Sequence, residues 1–80
     1  MDIQLIEGEF STNEALELLV KMMDVKIKFH ESKICNSHHE EDIKSRENKI
    51  KKLQKSLYEV RAFLNTKDNS VKVMASIHME

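Results

Sequence analysis

The chain has no proline, a single glycine (Gly8), no tryptophan, one tyrosine and three phenylalanines in its 80 residues. Without proline, and with so little glycine, it has no linker or low-complexity tract and favours long regular elements. With so few rings, any core must be built from aliphatic side chains and methionine. A single cysteine, Cys35, excludes an internal disulfide, so a reducing compartment is the expected setting. No run approaches the roughly 18 apolar residues a membrane helix needs. The opening MDIQLIEGEF carries acids where a secretory leader carries bases. The sequence therefore predicts a cytoplasmic protein without membrane segments.

Charged residues make up 34% of the chain and apolar ones 40%, a balance that argues against disorder. Net charge is −1, but its distribution is uneven. Residues 1–43 hold ten acids and four bases; residues 44–80 hold four acids and nine bases. Two halves of opposite sign attract each other when folded back as a hairpin. Eighty residues allow one domain with a thin core, marginal unless association adds to it.

Two Ser-x-x-Glu boxes punctuate the chain, Ser11 to Glu14 and Ser37 to Glu40. In such a box the Ser hydroxyl accepts from the backbone N–H three residues on, and the Glu returns to the Ser N–H. Each precedes a long apolar-periodic run, so each predicts a helix start. The first helix is expected over residues 11–34. Ala15, Leu18, Met22, Val25 and Phe29 form one stripe; Leu16, Val20, Met23, Ile27, His30 and Ile34 form a second beside it. Phe10 and Ala15 have the spacing of a hydrophobic staple. Two stripes make a face wider than one partner helix requires. A turn is expected over 35–37, with Asn36 able to take the left-handed conformation that ends a helix. The second helix is expected over 38–65. Ile43, Arg46, Ile50, Leu53, Leu57, Val60 and Leu64 keep heptad spacing, with Arg46 the one polar member.

The termini read as strands, at 2–7 and 70–79. Ile3 and Leu5 alternate with Asp2 and Gln4, and Gly8 marks an end or a bulge. Val71, Val73, Ala75, Ile77 and Met79 alternate more cleanly with Ser70, Lys72, Met74, Ser76 and His78. The expected fold is mainly α with short β: an antiparallel, coiled-coil-like two-helix hairpin flanked by strands, β-α-α-β, as a homodimer.

Three clusters bear on chemistry. His30, Cys35, His38 and His39 surround the turn, and zinc accepts cysteine with histidine. The paired ligands on both sides that structural zinc sites carry are missing, so no metal or other cofactor is assigned. No base-and-pocket arrangement supports Cys35 as a nucleophile, so no enzyme activity is expected. Lys44, Arg46, Lys49, Lys51, Lys52 and Lys55 form a basic run on the second helix. It lacks aromatics for base stacking, and some of it is expected to face Glu17 and Asp24 of the first helix. Nucleic acid, met by Lys44, Lys51, Lys52 and Lys55, is therefore the second reading. The first is a non-enzymatic interaction module that self-associates through Leu16, Val20, Met23 and Ile27 of the first helix and Val71, Val73, Met74 and Ile77 of the last strand.

Overall fold

A computed structural model describes residues 1–80. The order is β1 (Asp2–Ser11), α1 (Thr12–Cys35), α2 (Glu40–Leu64) and β2 (Ser70–His78). The two helices form a hairpin, and the strands pair antiparallel as a two-stranded ribbon. The molecule is mostly helical, and no helix is long and apolar enough to cross a membrane.

The first capping box forms as expected. The Glu14 N–H donates to the Ser11 hydroxyl (3.1 Å), and the Ser11 N–H donates to the Glu14 carboxylate (3.0 Å). Those backbone and side-chain bonds from Ser11 hold the Glu14 carboxyl below its usual pKa range. The second box does not form. α2 starts later than expected, with His39 as its N-cap and no side-chain bond at the cap. Ser37 sits too early: its hydroxyl accepts from the His39 N–H (3.3 Å), while its own N–H donates to the Ile34 carbonyl (3.1 Å). The serine thus shapes the bend, a local bond that competes with capping. Asn36 is not left-handed; it ends α1 at φ −99°, ψ 0°, and its side-chain amide donates to the Ser32 carbonyl (3.0 Å).

β1 runs four residues beyond its expected end, because Gly8, Glu9, Phe10 and Ser11 pair with Val73, Lys72, Val71 and Ser70. The register slips once, between Gln4 and Ile6, leaving Leu5 as the bulged residue. That overturns the assignment of the irregularity to Gly8, which lies inside the ladder at φ +149°, a conformation side chains resist. It also breaks the expected alternation, since Ile6, opposite Ala75, now shares the face of Ile3. The reason lies in the partner strand. β2 alternates without a slip, so β1 must change phase once to set both Ile3 and Phe10 against it. Directly opposed residues share a face. One face therefore carries Ile3 with Ile77, Ile6 with Ala75, Gly8 with Val73, and Phe10 with Val71. The other carries Asp2 with His78, Gln4 with Ser76, Glu7 with Met74, and Glu9 with Lys72.

Burial is sparse. Only Ala15, His30 and Leu64 are buried. The seam positions Leu16, Val20, Met23, Ile27 and Ile34 of α1, and Ile43, Ile50, Leu53, Leu57 and Val60 of α2, are half-buried. The far end of the other α1 stripe is open: Val25 is 70% exposed and Phe29 52%. The Cα atoms span 47 × 32 × 14 Å, with a radius of gyration of 15.1 Å. A compact chain of this length would have a radius of about 12 Å.

Candidate functional site

The turn cluster does not assemble. Cys35, His38 and His39 are exposed, whereas His30 is buried in the hairpin seam. No three His, Cys, Asp or Glu side chains lie together in a way that could hold a metal ion. The shallow hollow at the turn is lined by His38, His39, Asp42, Lys33 and Arg46, a mixture of signs without a ligand set.

His30 has a different partner. The Arg46 guanidinium lies 2.9 Å from its Nδ1. A guanidinium only donates, so Nδ1 accepts and the proton of the neutral ring sits on Nε2. Nε2 has no hydrogen-bond partner. The pKa of His30 lies below its ordinary value, first because the ring is buried, then because Arg46, Lys49 and Lys26 oppose a further positive charge. Arg46 also lies over the Phe29 ring, 5.8 Å from its centre, and Phe29 meets the His30 ring edge-on. The second stripe of α1 and the heptad stripe of α2 each held one polar residue, His30 and Arg46, and the hairpin sets the two against each other. That pairing was the readable signal, and reading the stripes separately missed it.

The lysines of α2 do not meet the acids of α1. Glu17 pairs with Lys21 at 2.8 Å and Asp24 with Lys28 at 2.9 Å, both one turn along α1 itself. The second pairing raises the Lys28 pKa. No ion pair crosses the hairpin; the remaining ones join His78 to Asp2 and to Glu80. The expectation that Glu17 and Asp24 neutralise part of the basic run is thus corrected. A partner four residues away on the same helix costs less order to hold than one across the seam. Lys26, Lys49 and Lys52 instead line one concavity with His30 and Ser56, without a carboxylate among them. Lys44, Lys51 and Lys55 are exposed.

A second concavity is apolar. It lies where the open end of the hairpin meets β2, between Leu19, Val60, Phe63 and Leu64 on one side and Val71 and Val73 on the other. Leu19 belonged to neither predicted stripe. Phe63 is 55% exposed there, and Met74, on the opposite face of the strand, is 75% exposed. Of the expected association residues, Leu16, Val20, Met23 and Ile27 are half-buried on the hairpin, and Val71 and Val73 are half-buried on β2. Ile77 and Met74 remain open.

Comparison of the chain with protein-family models, with curated proteins and with solved structures finds no match.

Proposed function

We propose that this chain is a non-enzymatic interaction module that works as a homo-oligomer through its hairpin and ribbon. One observation carries the reading: the accessible surface. The chain exposes 6554 Å². A compact monomer of 9.4 kDa would expose about 5,000 Å². The surplus of about 1,500 Å² exceeds what one partner contributes to a standard interface, about 800 Å². Much of the open surface is apolar, from Ile3, Leu5 and Ile77 on the ribbon to Val25 and Phe63 on the helices. Sedimentation equilibrium at micromolar concentration should return about twice the 9.4 kDa chain mass. A clean monomer of ordinary thermal stability would overturn the proposal.

The unpaired lysines favour a second reading, a nucleic-acid-associated protein. Lys26, Lys49 and Lys52 surround one hollow with no acid to neutralise them, and Lys44, Lys51 and Lys55 extend the positive surface along α2. Phosphate contacts release counterions, so binding should weaken steeply with salt. Against this reading stand the net charge of −1 and the lack of ring side chains among these lysines. Titration of labelled duplex and single-stranded oligonucleotides should show no submicromolar binding at about 150 mM salt. Tight binding that disappears when Lys49, Lys52 and Lys55 are replaced by Gln would promote this reading over the first.

A further inference from the structure

We infer that the outer edge of β2 is the self-association surface, and that two copies join β2 to β2 about a twofold axis at Met74, making a four-stranded antiparallel sheet. The inference rests on the homo-oligomer reading and names its interface.

The ribbon has two free edges, and they are not equivalent. The β1 edge is blunted. It carries the bulge at Leu5 and Gly8 at positive φ, and its polar face presents Asp2, Glu7 and Glu9. Bulges and charges are the usual guards of an edge strand, and pairing β1 with itself would crowd carboxylates of both copies onto one face. The β2 edge has one such guard, Lys72. Nine residues run without bulge, glycine or proline, and Lys72 is its one lysine or arginine. A regular edge with a single lysine leaves its outward backbone groups to water or to another strand.

The sequence of β2 is also self-complementary about its middle residue. Met74 is the centre of Ser70–His78. An antiparallel twofold there sets Met74 against its own copy. On the same face Lys72 then opposes Ser76 of the second copy, and Ser70 opposes His78 of the second copy. On the apolar face Val73 opposes Ala75 of the second copy, and Val71 opposes Ile77 of the second copy. No like charges meet, and every apolar position finds an apolar one. Met74 is otherwise the anomaly of the polar face, a large apolar side chain three-quarters exposed among Gln4, Glu7, Glu9, Lys72 and Ser76. The axis gives it a partner.

The geometry brings in the helices as well. A twofold normal to the sheet keeps both apolar faces on one side. Both hairpins then lie on that side, each with an apolar groove beside β2 that Leu19 and Phe63 line. The surplus surface of about 1,500 Å² per chain is large enough for a standard interface made of strand edge and groove together. Pairing β1 to β2 of another copy would satisfy the charges too, but that contact is head-to-tail, so it predicts rings or filaments rather than a twofold dimer.

The test combines mass with register. In a Cys35→Ser background, single cysteines are placed at Lys72, Met74 and Ser76 and treated with a short bis-maleimide. Residues directly opposed across antiparallel strands have Cβ atoms about 5 Å apart. The expected result is a dimer by sedimentation equilibrium, efficient cross-linking from Met74→Cys, and at least about fivefold less from Lys72→Cys and Ser76→Cys, whose copies lie some four residues apart along the strands. Met74→Lys opposes two ammonium groups on the axis and should weaken dimerisation about tenfold or more, whereas Asn48→Lys, an equal charge change at an exposed position on α2, should not. Met74 is exposed in the single chain, so far-ultraviolet circular dichroism should show both variants folded. A dimer without preference for position 74 overturns this interface and leaves the oligomer standing. A ring or filament overturns it in favour of head-to-tail strand pairing. A monomer overturns both readings.

Discussion

At the scale of single residues, the pair of His30 and Arg46 is the most consequential. Arg46 requires an acceptor at Nδ1, and burial together with Arg46, Lys49 and Lys26 disfavours the imidazolium. No carboxylate is among the influences on the ring. The folded pKa thus lies below the unfolded value of about 6.5. Between those two values the unfolded chain binds more protons than the folded one, so stability falls as pH drops through this window. The carboxylate of the Ser11–Glu14 cap titrates lower, below about 4.5, so it contributes little above pH 5.5. Chemical denaturation should show a less stable protein at pH 5.5 than at pH 7.5. His30→Gln keeps an acceptor for Arg46 and a donor in place of Nε2–H but does not titrate, and its stability should change less over the same range. Equal slopes in both proteins would show that His30 is not held neutral in the fold.

At the scale of elements, the readable parts were those set by local chemistry, and the rest was set by partners distant in sequence. The order β-α-α-β and the extent of α1 followed from the Ser11 box and the apolar spacing, because a cap and a periodic face are both local. The Ser37 box failed because the same local bond that would cap a helix can bend a turn, and the chain between Ile34 and His39 uses it for the bend. The bulge at Leu5 was not readable in β1 alone: Ile3 and Leu5 alternate correctly as an isolated strand. It becomes necessary once β2 fixes the phase of the opposing apolar residues. The candidate site divides in the same way. Proximity in sequence grouped His30 with Cys35, His38 and His39, but the helix turns His30 into the seam and leaves the others in solvent. Likewise Glu17 and Asp24 were expected to reach α2, and the closer partners Lys21 and Lys28 took them.

At the scale of the whole molecule, the fold is open for its mass. With three buried residues and a Cα thickness of 14 Å, the single chain removes little apolar surface from water. Ordering each of its residues still costs about 1–2 kcal/mol of backbone freedom. Chains of this size that cannot build a deep core gain stability from a staple, a metal or a partner. The association proposed above would supply such a partner. If folding and assembly are coupled, stability follows mass action and the melting temperature depends on protein concentration. A hundredfold dilution changes the free energy of a dimer by about 2.7 kcal/mol, which lowers the melting temperature by on the order of 5–10 °C for a pair of chains this long. Differential scanning fluorimetry across micromolar dilutions, read together with sedimentation at the same concentrations, measures that shift. A melting temperature independent of concentration, in samples that sediment as dimers at every dilution, would show that the chains do not separate as they unfold and would overturn the coupling. The same constancy in samples that sediment as monomers would show that the thin single-chain fold is stable by itself and needs no second copy.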